Sequence, residues 1–292
     1  MKMSKMNFIK QIKPKAKNVG EHFLFSSDSL KILKQIPENS IRLVVTDPPY
    51  NIGLSYNRFK DKKPWKEYYS DLVDSLREVK RILTDDGSLY LVNYPELNAR
   101  ILPILEDELG FVFKRWLTWH YPSNIGHSKT NFTRSQRSIL FMTKSKNNLF
   151  NKEAIVQPYK NPNVGKIKKL IKSGKLGRTP YDGLELKDLQ EIIGTKEFNE
   201  DLKSDFINFN LLKNVSKDRS GDENIKHPCQ LPLSLLKVFI KASSKKGDIV
   251  LDAFAGTFTT SLAAKQLGRK SIGIEIDPDY VKLGIKRLKN DI

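Results

Sequence analysis

The run Ile41-Arg42-Leu43-Val44-Val45 stops at Thr46-Asp47-Pro48-Pro49-Tyr50-Asn51, and this junction limits the folds open to the chain more than any other stretch. A short apolar run rich in β-branched residues reads as a strand buried on both faces, which belongs in a parallel sheet covered by helices. Two consecutive prolines cannot continue a ladder, because neither has an N–H to contribute. The strand therefore delivers a rigid loop to a sheet edge. The residues of that loop suit one task, holding a planar amino group next to an electrophile. Asp47 offers carboxylate acceptors, Pro48 exposes a carbonyl with no N–H to compete for it, and Tyr50 offers an aromatic face on which a base can stack. Asp-Pro and Pro-Pro also mark plain turns, so the rest of the chain decides which meaning applies.

Six further strands are expected, at 23–25, 88–92, 111–120, 137–143, 248–252 and 271–275, which makes seven with 42–46. Helical spacing falls between them. Leu30, Leu33 and Ile36 follow a Ser26-Ser27-Asp28 cap, and Leu72, Leu76, Val79 and Leu83 share a face within 64–83. Further helices are expected at 95–109 despite Pro103, and at 233–242, 259–267 and 279–288. Strands alternating with helices imply an α/β architecture, an open and mostly parallel sheet. From Lys144 to Lys226 the β pattern fades, and Lys, Asn and turn residues dominate. The chain thus divides in four: a basic, mobile arm at 1–21, a first half of the main domain at 22–143, an insertion at 144–226, and a second half at 227–292.

Charge bears on partners. The chain has 292 residues with 51 Lys and Arg against 33 Asp and Glu, a net charge of +18, and such a field attracts polyanions, nucleic acid first among them. Ten Lys or Arg residues lie between Lys144 and Arg178, interleaved with Asn and Tyr159, a composition suited to phosphate contacts. The single cysteine, Cys229, forms no intrachain disulfide, and with four scattered histidines (His22, His120, His127, His227) no metal site is expected. No apolar stretch approaches the roughly eighteen residues of a membrane span, and the start lacks the apolar core of a signal peptide. A cytoplasmic protein with no membrane partner is expected.

The second half carries Asp252-Ala253-Phe254-Ala255-Gly256-Thr257-Phe258-Thr259-Thr260 between a buried strand and a helix. Small residues there let a ligand approach the backbone and the helix N-terminus, where free N–H groups favour a carboxylate. Glu275 ends the next strand, 23 residues after Asp252, in the position for accepting both hydroxyls of a ribose. The nicotinamide-type Gly-x-Gly-x-x-Gly fingerprint is not present, since Phe258 stands where another glycine would.

Together the two halves resemble the amino-methylating DNA methyltransferases that use S-adenosylmethionine, in their circularly permuted β group, over about residues 22–143 and 227–288. The resemblance implies a Rossmann-like seven-stranded sheet with helices on both faces and an inserted target-recognition segment at 144–226. It implies that Asp47, Pro48, Pro49 and Tyr50 form the catalytic loop, that Asp28 contacts the adenine of the cofactor, and that Asp252, Phe254, Ala255, Gly256 and Thr257 line its methionine and ribose. Glu275 becomes the ribose acid. His227-Pro228-Cys229-Gln230-Leu231-Pro232 resembles a His-Pro-x-Gln-Lys-Pro segment beside the methionine, which adds Gln230 to the cofactor set. Leu231 replaces the lysine often seen there, and Phe258 replaces a usual glycine, where it either narrows the pocket or props the turn. The implied activity is methylation of adenine N6 in double-stranded DNA with base flipping, in a restriction-modification setting that admits a cognate endonuclease and a homodimer. N4-cytosine methylation is the alternative, as is a DNA-binding relative with impaired cofactor binding. His120, Tyr121, Asn124 and His127 stand near the expected substrate side.

Overall fold

The computed structural model describes residues 6–53, 61–120, 129–132, 135–175, 177–184 and 230–291. Its strands are β1 (Lys17–Val19), β2 (His22–Ser26), β3 (Ile41–Thr46), β4 (Leu83–Asn93), β5 (Val112–His120), β6 (Gln136–Thr143), β7 (Gly183–Leu184), β8 (Ile249–Asp252) and β9 (Lys270–Glu275). They form one nine-stranded sheet in the order β1-β2-β9-β8-β3-β4-β6-β5-β7. The seven anticipated strands are all present. The seven-stranded expectation is corrected by two short edge strands, β1 antiparallel to β2 and β7 parallel to β5. Both are too short to show a period of two in the sequence.

The helices are α1 (Ser29–Leu33), α2 (Trp65–Ile82), α3 (Pro95–Pro103), α4 (Gly165–Lys172), α5 (Leu233–Ser243), α6 (Thr259–Gln266) and α7 (Pro278–Asn290). The helix expected over 95–109 is α-helical only to Pro103; residues 104–108 continue as a wider π turn, in which the Leu109 N–H reaches back to the Ile104 carbonyl at 3.0 Å. Alternation along the strands divides the core in two. Leu43, Val45, Tyr90, Val92, Ile139, Phe141 and Val250 face α5, α6 and α7, while Val44, Leu89, Leu91, Leu140, Met142 and Leu251 face α1, α2 and α3. Helices therefore cover both faces, as the continuous apolar strands require.

The arm expected at 1–21 is corrected over its described part. Met6, Ile9 and Ile12 are buried with α1 and α2, and Gln35 clasps the Lys13 backbone through N–H···Oε1 at 2.9 Å and Nε2–H···O at 2.7 Å. Apolar spacing inside a basic stretch overrides the charge. Among the described residues no helix is long and apolar enough to cross a membrane.

Strands β2, β9, β8 and β3 run parallel, with Ser26 beside Glu275, Asp252 beside Gly273 and Val44 beside Leu251. Their carboxyl ends thus lie along one edge of the sheet. From β8 the chain passes through α6 to β9 on one side, and from β3 through α2 to β4 on the other. The connections diverge between β8 and β3, and a crevice opens at such a point.

Candidate active site

The crevice between β3 and β8 gathers residues from opposite ends of the chain. Its walls include Asp28, Asp47, Pro48, Pro49, Tyr50, Gln230, Asp252, Phe254, Ala255, Gly256, Thr257 and Glu275, so every catalytic and cofactor residue expected from the sequence borders one hollow. His227, Pro228 and Cys229 lie outside the described residues, as do Tyr121, Asn124 and His127. His120 ends β5 on the exposed surface, and His22 pairs with the Ser271 hydroxyl at 3.0 Å, away from the crevice lining.

The Asp47 loop is held rigidly. The Tyr50 hydroxyl donates to Asp47 Oδ1 at 2.6 Å, and among the described residues no donor holds the other oxygen. Asn51 turns the chain with φ +58°, where Asn is tolerated better than most side chains. Buried Asp61 accepts the Asn51 N–H at 2.7 Å and the Ile52 N–H at 3.2 Å, while Asn51 and Lys63 exchange two further bonds of 2.9 and 2.6 Å. Tyr68, on α2, donates its hydroxyl to the Pro49 carbonyl at 2.8 Å. That leaves the Pro48 carbonyl without a hydrogen-bond donor among the described residues. Asp61 and Tyr68 escaped sequence reasoning because nothing in their local pattern points back to the loop. Tyr68→Phe is expected to cost the loop about 1 kcal/mol of anchoring. A single turnover at this loop should slow roughly fivefold, by the same conversion, with ligand affinity in the crevice unchanged.

Tyr50 does not present the open aromatic face anticipated. Its ring is 1% exposed, tilts at 51° against Tyr94 with centroids 4.6 Å apart, and has the Arg137 guanidinium 5.3 Å from its centre. Arg137 sits closer still to the Tyr94 ring, at 4.1 Å. Both partners come from other strands or their ends, which no local pattern reveals.

Three carboxyl groups of the crevice are electrostatically unusual. Burial pushes Asp47 up to about 7; the Tyr50 hydroxyl and the Arg137 guanidinium oppose the rise, and Asp252 adds to it. Burial likewise raises Asp252 to about 6, against bonds from the Thr260 hydroxyl at 2.6 Å, the Phe254 N–H at 3.1 Å and the Thr46 hydroxyl at 3.0 Å. Glu275 is raised to about 7 by burial, although it accepts the Asp277 N–H at 2.8 Å and the Gly256 N–H at 2.9 Å. Gly256 takes φ +50°, a left-handed turn that brings its N–H onto Glu275. Asp28 is both a helix cap, accepting the Lys31 N–H at 3.0 Å, and part of the crevice wall.

Phe258 is absent from the crevice lining. Its ring is fully buried between β9 and α7, so it props the turn and leaves the hollow free. The small residues Ala253, Ala255 and Gly256 leave room for a ligand at the backbone, and Glu275 at the β9 end supplies an acceptor for a ribose. Five carboxyl side chains (Asp28, Asp47, Asp252, Glu275, Asp277) border the same space, which fits a ligand bearing sulfonium and ammonium charge. These residues fit S-adenosylmethionine.

Comparison with known proteins agrees with this geometry. Residues 41–286 match the model of the N6/N4 methyltransferase family, described as DNA methylase, and the chain belongs to that family. It is 36% identical over 268 residues to the DNA adenine methyltransferase YhdJ of Escherichia coli, covering 91% of this chain and 82% of that protein. It is 30% identical to the Type II methyltransferase M.HpaI of Haemophilus parainfluenzae, covering 92% of this chain and 74% of that one. The solved PvuII DNA methyltransferase (cytosine-N4-specific) superposes with a TM-score of 0.62 at 20% identity, over 92% of this chain and 90% of its own, a likeness of fold. The protein TTHA0409 of Thermus thermophilus, solved in complex with S-adenosyl-L-methionine, gives a TM-score of 0.54 at 25% identity over 92% of this chain and 95% of its own. The protein is thus an amino-methylating DNA methyltransferase, with S-adenosylmethionine as its cofactor.

Proposed function

We propose that this enzyme methylates adenine N6 within a specific site of duplex DNA, after the base has swung out of the helix. The observation that carries the reading is the shared crevice, in which Asp47 and the Pro48 carbonyl, engaged by no donor among the described residues, border the same hollow as the small-residue turn of 252–257. Aspartate before Pro-Pro-Tyr and the likeness to the adenine enzyme YhdJ favour adenine over cytosine. Fold likeness to the cytosine-N4 enzyme PvuII keeps N4-cytosine as the second reading. The third, a DNA-binding relative with impaired cofactor binding, loses one of its motives, because Phe258 does not enter the crevice.

An exocyclic amine is a weak nucleophile, because its lone pair is delocalised into the ring. Asp47 and the Pro48 carbonyl accept its two hydrogens, turn the nitrogen toward a tetrahedral shape and aim the lone pair across the crevice. S-adenosylmethionine, when bound, supplies an electrophilic methyl group on sulfur. The methylated amine then carries one proton too many, and Asp47, with a pKa near neutrality, takes it up and passes it to water. Tyr50, braced by Tyr94 and covered by Arg137, fixes the carboxylate. Positioning and electrostatics provide most of the rate.

Residues 144–226 are read as the DNA-recognition segment. In its described part, α4 exposes Lys166, Lys168, Lys169 and Lys172. Affinity for duplex DNA should fall about a thousandfold between roughly 50 and 200 mM salt. A titration showing little change would remove the phosphate-tracking role. The likeness to M.HpaI, a Type II methyltransferase, supports a restriction-modification setting in the cytoplasm. Hydrolysing DNA treated with the enzyme and cofactor to nucleosides identifies the product. N6-methyldeoxyadenosine is expected; N4-methyldeoxycytidine would establish the second reading instead.

A further inference from the structure

The crevice has an imbalance of charge. Five carboxyl side chains line it, while among the described residues no lysine or arginine belongs to its lining. A methionine-bearing cofactor brings a carboxylate of its own, and that group needs a positive neighbour to avoid repulsion from the other five. Leu231, where a lysine would be a natural partner, is apolar and buried.

A cation does stand immediately behind the wall. Arg287 reaches from α7 and is only 3% exposed. Its Nη1 donates to the Thr257 carbonyl at 2.8 Å, to the Thr257 hydroxyl at 2.9 Å and to the Thr259 hydroxyl at 2.9 Å. The Gln230 amide satisfies its neighbours with Oε1 turned inward, 3.1 Å from Arg287 Nη2, 3.3 Å from Nη1 and 2.9 Å from the Thr259 hydroxyl. Thr257, Thr259 and Gln230 all border the crevice. A guanidinium has only hydrogens to give and accepts none. It therefore occupies acceptor sites on all three neighbours and biases them to give hydrogens: the Thr257 hydroxyl proton, shared between the crevice and the Thr259 hydroxyl 3.4 Å away, and the Gln230 Nε2 hydrogens.

We propose that Arg287 is a positioning residue for cofactor recognition, orienting Thr257 and Gln230 as donors and supplying, through them, the positive field that receives the methionine carboxylate. It does from behind the wall what a lysine at 231 would do inside the crevice. The inference rests on the cofactor reading of the same site, and the experiment separates the two.

Equilibrium binding is measured for S-adenosylmethionine and for its decarboxylated analogue, which keeps the sulfonium and the amine. The wild-type protein should prefer the intact cofactor. Arg287→Met should weaken the intact cofactor roughly 10- to 100-fold, as the loss of a charged hydrogen-bonding partner does, and leave the analogue nearly unchanged. Arg287→Lys should fall between. Thr259→Val, which keeps the shape but removes one anchoring point of the guanidinium, should narrow the preference in the same direction and serves if Arg287→Met does not fold. Equal losses for both ligands would make Arg287 a purely structural brace and overturn the proposal, as would no loss for either. A wild-type protein that binds neither ligand would overturn the cofactor reading together with it.

Discussion

Replacing Asp47 with alanine is expected to slow methyl transfer to DNA by about a thousandfold or more, the scale on which a preorganised electrostatic group acts, while S-adenosylmethionine binds almost as before. The asymmetry follows from position. Asp47 sits at the end of β3 with one oxygen held by Tyr50 at 2.6 Å, whereas the expected cofactor wall is built from β2, β8, β9 and the turn of 252–257. A pH profile sharpens the expectation. With burial holding the group at about 7, the accepting carboxylate is lost as the pH falls below that value. At saturating cofactor, kcat/KM for DNA should therefore rise with pH and level off above about 7. Asp47→Asn should be slow and should lack that rise. Rapid turnover by Asp47→Ala, or the same profile in Asp47→Asn, would remove the carboxylate from the mechanism.

The second large effect is on stability. Phe258 adopts φ +64°, a left-handed conformation that costs a side-chain-bearing residue about 1–2 kcal/mol. Its ring accounts for the choice. A Cβ added at Gly273 would come within 2.5 Å of the ring, and one at Gly284 within 2.4 Å. Glycine in the middle of α7 is thus there for space, against its own helix propensity. Phe258→Ala should cost about 3–5 kcal/mol through lost burial and the cavity left behind. Gly284→Ala should cost about 1–3 kcal/mol by overpacking. The double variant should be less destabilised than the sum, since the new methyl group enters the space vacated by the ring. Urea unfolding of the four proteins measures this directly, and strict additivity would contradict the packing described.

Much of this arrangement is written locally in the chain. The β-branched run before Asp47 and the run Ile249-Val250-Leu251 before Asp252 announce two buried strands, and the prolines after one and the small residues after the other announce their loops. Glu275 at the next strand end completes a pattern readable at short range. The supports are another matter. Asp61 grips the loop at Asn51 and Ile52, Tyr68 holds Pro49 from the following helix, and Arg287 reaches Thr257 across 30 positions. Such contacts depend on how elements pack, and a single sequence carries no period or motif for them. The buried side chains of Met6, Ile9 and Ile12 show the opposite failure, a local apolar spacing outvoted by net charge.

The most direct test of a single crevice serving both partners is a crystal structure with S-adenosylhomocysteine. The ribose hydroxyls should lie on Glu275, the amino-acid end beside Thr257 and Gln230, and the sulfur should face the Asp47 carboxylate across the hollow. A ligand seated elsewhere, or one whose sulfur is walled off from Asp47, would contradict the account.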